Sequence, residues 1–231
     1  QDERVANATF HTFYFALLEV PLQMIVALLL LMFMLRNTKL HKLLRTVFYL
    51  PYVCSMTAVS IMWSMLLNTH YGMLPYLLGK IGITMPNMLS STTWAMPTVI
   101  FVTVRKGFGY TLTILSAAAL GVSESLYEAA EIDGASKWQE FWSITLPSIM
   151  DVLKIVIVLR VIFMFKKVDE ILLLTGGGPG TSTTILPLYT YKNTFESMQM
   201  GRGAASAILL MIFIFALMSI YFKLFEKEET E

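Results

Sequence analysis

The sequence predicts an all-α, polytopic bundle of transmembrane helices forming a single domain over residues 1–231, and three observations lead there. Hydrophobic residues make up 56% of the chain and charged ones 14%, with a mean hydropathy of +0.64, whereas soluble domains are roughly a quarter charged. The apolar residues come in long runs near the roughly 20 residues a bilayer core requires, not in alternating or amphipathic stretches. Cations crowd one short link between two of those runs, the asymmetry that orients a membrane protein.

Five spans are expected, at about Phe10–Leu35, Val47–Leu67, Thr93–Leu120, Ile149–Leu174 and Ala204–Phe225. The first and last are the most apolar: Leu22–Leu35 holds only Gln23 as a polar residue, and Ala207–Phe222 only Ser219 and the Tyr221 hydroxyl. Arg36, Lys39, Lys42 and Arg45, with His41, fill the link between the first two spans, which the positive-inside rule makes cytoplasmic. Asn68–Ser91 then lies outside, Gly121–Pro147 inside, Thr175–Gly203 outside and the acidic tail Glu226–Glu231 inside. An odd number of spans puts Gln1 outside, so a cytoplasmic N-terminus would require one more helix upstream. Gln1–Ala6 is polar and lacks the positive leader of a signal peptide.

Glycine and proline mark the irregular points. Lys106-Gly107-Phe108-Gly109 interrupts the third span, and two glycines each weaken a helix by about 1 kcal/mol relative to alanine, so a bend or break is expected there. Gly176-Gly177-Gly178-Pro179-Gly180 after the fourth span is too flexible for helix and too glycine-rich to face lipid. Net charge is +1, which gives no global pull toward nucleic acid. The single cysteine, Cys54, excludes a disulfide within the chain.

Between the third and fourth spans, residues 122–147 read as a helical hairpin. Ser123 is a candidate N-cap, Glu128-Ala129-Ala130-Glu131 favours helix, and Gly134 suits a left-handed C-terminus. Ser136 then caps a second short helix through Ile144, which Pro147 stops. Trp138, Phe141 and Ile144, spaced by three, make an apolar stripe. Such a stripe serves either docking to a protein or rest on lipid headgroups.

The pattern Glu128-Ala129-Ala130, Asp133-Gly134-Ala135, Phe141, Ile144, Leu146-Pro147 is similar to the EAA motif of binding-protein-dependent ABC transporter permeases. Leu50-Pro51, Tyr71-Gly72-Met73-Leu74, Trp94-Ala95-Met96-Pro97, Lys106-Gly107-Phe108-Gly109 and the Leu174–Gly180 stretch resemble landmarks of the carbohydrate-uptake branch, the maltose and glycerol-3-phosphate type. The resemblance implies a type I ABC importer permease fold, usually with at least six spans. It also implies coupling helices at 122–147 that enter a cleft of an ATPase, with Glu128 and Asp133 as polar contacts, Gly134 as the turn and Phe141 as the apolar plug. The implied partners are a second related permease, two ATPase subunits, an extracytoplasmic solute-binding protein, a sugar-like solute and a bacterial or archaeal cytoplasmic membrane. No P-loop occurs in the sequence, so ATP and Mg would belong to the ATPase, and the chain itself would be a translocation subunit, not an enzyme.

Cations inside predicted spans bear on the cargo. Arg105 and Lys106 fall in the third span, and Arg160, Lys166 and Lys167 in the fourth, where an isolated cation costs about 2.5–3.5 kcal/mol at the bilayer centre. Arg160 and Lys167, seven apart, would share a helix face. One reading is a pathway that attracts an acidic sugar or oligosaccharide. The other is neutralisation of Lys166 and Lys167 by Asp169 and Glu170, three or four residues on. Family members more usually hold neutral residues where this chain has Lys166 and Lys167. Tyr110, Phe163 and Phe165 offer rings for sugar stacking, and Thr111 and Thr113 hydroxyls, though such residues more often pack. Gly176–Gly180 is either a binding-protein contact or a passive linker.

Rival classes fare less well. A channel needs a repeated filter, and His11, His41 and His70 are too scattered for a metal site. A proton- or ion-coupled secondary transporter is the alternative, with Asp169 and Glu170 as relays.

Overall fold

The computed structural model describes residues 3–35 and 38–226. Arg36 of the basic link, the residues at Gln1 and Asp2, and the acidic tail 227–231 lie outside the described residues. Every regular element among the described residues is helical.

The order is α1 (Glu3–Phe33), α2 (Lys39–Val53), α3 (Met56–Leu66), α4 (Met73–Lys80), α5 (Ala95–Ala119), α6 (Glu124–Ile132) and α7 (Lys137–Glu140). A π-helical turn at Phe141–Thr145 leads into α8 (Leu146–Ser148), followed by α9 (Met150–Met164), α10 (Asp169–Leu174) and α11 (Leu186–Tyr191). A second π-turn, Lys192–Glu196, precedes α12 (Met200–Glu226). Among the described residues, only α1 and the Met200–Tyr221 part of α12 are long and apolar enough to cross a membrane individually. A third crossing arises if α2 and α3 are taken together.

Three expected spans therefore change character. The second is two helices, separated where Cys54 adopts an extended conformation (ψ 143°); Pro51, inside the last turn of α2, removes one helical donor just before that break. The third is one unbroken 25-residue helix, about 37 Å long at 1.5 Å per residue, so no break occurs at Gly107 and Gly109. The fourth ends early: Lys166 N–H donates to Phe163 C=O and Lys167 N–H to Met164 C=O, both at 3.1 Å. These tighter turns close α9 before α10 begins.

The chain divides into two compact units, each discontinuous in sequence. The first comprises Gln1–Leu17, Met56–Ile100 and Val161–Glu231. Within it Ala8, Leu186 and Tyr189 form a buried cluster flanked by Val5, Leu210 and Phe213, joining the start of α1 to α11 and α12. Thr12 Oγ1 accepts from Leu186 N–H at 2.8 Å, satisfying a first-turn donor of α11 that has no intrahelical partner.

The second unit comprises Leu18–Ser55 and Phe101–Arg160. Val20, Met24, Ala27 and Leu31 of α1 are buried at helical spacing, as are Phe108, Leu112 and Leu115 of α5. Arg45 Nη2 donates to Met34 C=O at 2.9 Å, placing a cation of the basic link on the C-terminal end of α1, where the helix dipole favours it.

Candidate functional site

The hairpin at 122–147 is built almost wholly by local chemistry. Gly134 adopts φ +77°, Ala135 N–H reaches Ala130 C=O at 2.9 Å and Gly134 N–H reaches Glu131 C=O at 3.2 Å. This is the paired C-terminal closure that glycine permits, and it fixes the turn at Asp133-Gly134-Ala135. Ser136 then caps α7 reciprocally: Gln139 N–H donates to Ser136 Oγ (3.3 Å), and Ser136 N–H donates to Gln139 Oε1 (2.8 Å). Ser123 occupies the N-cap position of α6 without a side-chain cap bond; its hydroxyl pairs with that of Ser125 at 2.7 Å.

Lys137 Nζ bridges Glu140 at 2.7 Å and Glu131 at 2.9 Å. The hydrogen bond to Glu140, then that to Glu131, holds the lysine pKa above its ordinary 10.5. The Tyr127 hydroxyl meets Thr145 Oγ1 at 2.9 Å, tying α6 to the π-turn.

Exposure redraws the expected stripe. Glu128, Ala129, Asp133, Gly134 and Pro147 are exposed, and Ala130, Ala135, Ile144 and Leu146 half-buried. Phe141, the expected plug, is 3% exposed. Pro147 does not stop the helix, because it sits at the start of α8, where its missing donor costs nothing. The outward apolar residues are Ile132 (86% exposed), Trp138 (55%) and Trp142 (50%), the two indoles 5.6 Å apart. Trp142 lies four residues after Trp138, a spacing that pointed to it as well as the expected threefold spacing pointed to Phe141.

In the second unit a buried polar cluster joins α1, α5 and α9. Arg160, 3% exposed, reaches Glu19 Oε1 at 3.5 Å and donates to Gln23 Oε1. Gln23 Nε2 donates to Thr111 Oγ1 at 3.1 Å. Arg160 is thus neutralised by Glu19 of α1. Glu19 was overlooked; a carboxylate four residues before Gln23 in an apolar run was the available signal. Gly107 lies against this cluster, where an added Cβ would stand 2.6 Å from Arg160 Nη2 and 2.8 Å from Gln23 Nε2. Gly109 abuts the Phe48 carbonyl similarly. These close approaches account for both glycines.

The other expected pathway residues separate. Lys106 Nζ donates to Tyr52 C=O at 3.1 Å, and Tyr52 stacks on Tyr110 at 4.8 Å. Arg105 lies over the Phe108 ring at 5.4 Å, with Nη1 buried and lacking a hydrogen-bond partner. In the first unit Lys166 is exposed at the break after α9, Lys167 is 8% exposed with Nζ 5.8 Å from the Phe15 ring centre, Asp169 is exposed and Glu170 half-buried. Because α9 ends at Met164, the seven-residue spacing does not put Arg160 and Lys167 on one helix face.

The glycine loop is pinned instead of slack. Gly176, Gly177 and Gly180 have φ of 61°, 88° and 62°, values that favour glycine. Thr183 Oγ1 donates to Gly178 C=O and Thr184 Oγ1 to Gly177 C=O, each at 2.9 Å. Gly177 is buried, Gly176, Gly178 and Pro179 are half-buried, and Gly180 alone of the five is exposed. Among the described residues no group of three or more His, Cys, Asp or Glu is placed to hold a metal ion.

Residues 5–229 match the family model described as "Binding-protein-dependent transport system inner membrane component". The chain belongs to this family. It is 34% identical to the probable ABC transporter permease protein YurN of Bacillus subtilis over 81% of its length and 65% of that relative's. With the trehalose/maltose transport system permease protein MalF of Thermococcus litoralis it shares 31% identity over 94% of this chain and 73% of that one. The fold is that of a chain in the crystal structure of a bacterial alginate ABC transporter in complex with its alginate pentasaccharide-bound periplasmic protein: TM-score 0.87, 24% identity, 96% of this chain and 78% of that chain covered. Membership in a binding-protein-dependent family leaves the secondary-transporter alternative without support.

Proposed function

We propose that this chain is one of two related membrane-spanning subunits of an ATP-driven importer that receives a carbohydrate-like solute from a binding protein. The observation that carries the reading is the hairpin at 122–147: its turn and caps are closed by its own hydrogen bonds, while Ile132, Trp138 and Trp142 stay exposed. A rigid polar turn edged by exposed indoles is suited to an apolar cleft on a partner, and Glu128, Asp133 and Gly134 of the EAA pattern lie exposed on it. The partner would be an ATPase present in two copies, holding ATP and Mg. The membrane would be a bacterial or archaeal cytoplasmic membrane, crossed five times by this chain.

An acidic sugar or oligosaccharide is the cargo we favour. Arg160 and Lys106 are engaged within the second unit, whereas Lys166 is exposed at the break after α9. The solved neighbour imports an acidic polysaccharide, the same chemical class. The test is ATPase activity of the assembled transporter with its binding protein across neutral and acidic sugars of equal length. Acidic solutes should stimulate most, Asp133→Lys should abolish stimulation by every solute, and Lys166→Gln with Lys167→Gln should reduce only the acidic response. Unchanged acidic stimulation in that double variant would remove the acidic-cargo reading while leaving the importer.

A further inference from the structure

We infer that the outer part of the first unit holds a second, cationic solute site: a vestibule that takes the carboxylate of an acidic oligosaccharide apart from Lys166 and Lys167. A cavity of about 870 Å³ opens there, within the range of sites that hold drug-sized ligands. Three elements each bring one cation to its wall: Arg4 from the first turn of α1, Lys192 from the π-turn after α11, and Arg202 from the first turn of α12. Among the described residues of the lining these three cations stand with one carboxylate, Glu196.

The rest of the lining suits hydroxyls more than a flat protein face. Thr181, Asn193, Ser197 and Gln199 contribute side-chain donors and acceptors. Asn193 Nδ2 is committed to Tyr189 C=O at 2.8 Å, which holds the amide in place. Lys192 spends one of three ammonium donors on Gly176 C=O at 2.6 Å; the cation is thereby positioned by the glycine loop and keeps further donors. Arg202 is exposed, and its planar fork matches a carboxylate in bidentate fashion. Concavity, fixed amide and hydroxyl groups and excess positive charge together describe recognition of an anionic, hydroxyl-rich ring. A second cavity in the same unit, about 460 Å³, is lined by Ser64, Asn68, His70, Asn87 and Ser90 among others, with no lysine, arginine or carboxylate; it is the internal control.

This inference rests on the acidic-cargo reading, and the experiment separates the two. The intact transporter in lipid nanodiscs, without binding protein, is titrated calorimetrically with a tri-uronate and with a neutral trisaccharide of the same length. The tri-uronate should bind at least tenfold more tightly and lose affinity with added salt. Arg202→Gln and Lys192→Gln should each weaken it about tenfold, as expected for loss of one charge-assisted contact. Arg202→Lys should recover part of the loss, and His70→Gln in the control cavity should change nothing. Equal tri-uronate affinity in Arg202→Gln and wild type overturns the vestibule, even if uronate-stimulated ATPase activity continues. A change only in the binding-protein concentration needed for half-maximal stimulation also overturns it, marking the patch as a docking surface. Absence of any uronate response in the wild type, with or without binding protein, removes the acidic-cargo reading itself.

Discussion

Glu19 and Arg160 are an ion pair with 0% and 3% side-chain exposure, and burial makes such a pair expensive to break even where it adds little stability intact. Glu19→Gln leaves the guanidinium charged and uncompensated, at a cost of about 3–5 kcal/mol. Adding Arg160→Met should recover most of the loss, because an apolar side chain replaces the stranded charge. The apparent thermal midpoint of the detergent-solubilised transporter measures both; a double variant no better than Glu19→Gln would show that the two residues do not act as a pair. Gly107→Ala probes the same cluster from α5. Its Cβ meets Arg160 Nη2 at 2.6 Å, so the arginine must move, and an overpacking cost of about 1–3 kcal/mol should appear in the same melting experiment.

At the scale of elements, the hairpin is where sequence and structure correspond most closely. Gly134→Ala strains φ +77°, and Ser136→Ala removes a reciprocal cap, each costing about 1 kcal/mol. Limited proteolysis between α6 and α7 should quicken in both variants, and solute-stimulated ATPase activity should fall without loss of binding-protein affinity. Lys137 carries a pH prediction. Its pKa is raised above 10.5, so the ties to Glu140 and Glu131 contribute fully below the ordinary lysine value and are lost as pH rises through the raised one. Wild type and Lys137→Met should therefore show ATPase pH profiles of the same shape between about pH 7 and 9, differing only in height. The turn and its caps were readable because their partners lie within six residues. The continuity of α5 was not, since Gly107 and Gly109 answer to Arg160, Gln23 and Phe48, distant in sequence. Phe141 misled for a related reason: periodicity finds a stripe but does not say which edge of it a neighbouring element covers.

The whole molecule poses the question of crossings. Hydropathy alone finds α1 and α12; α5 has the length to span but carries Arg105 and Lys106 at its middle, and the expected second and fourth spans are each two helices. Such segments enter a bilayer when their polar groups turn toward protein, and the hydrogen bonds of Lys106 to Tyr52 and of Arg160 to Gln23 do that. Five crossings put Ser125 of the hairpin in the cytoplasm and Gly180 of the glycine loop outside. Both residues are exposed, so Ser125→Cys and Gly180→Cys, each in a Cys54→Ser background, report their side directly. A membrane-impermeant maleimide added to intact cells should label Gly180→Cys at once and Ser125→Cys only after permeabilisation. The same side for both would require an even number of crossings between residues 125 and 180, and either α9 with α10 would then fail to span or another segment would cross with them. Opposite sides, with Gly180→Cys the one labelled in intact cells, are the outcome that the five-span reading requires of the segment between residues 125 and 180.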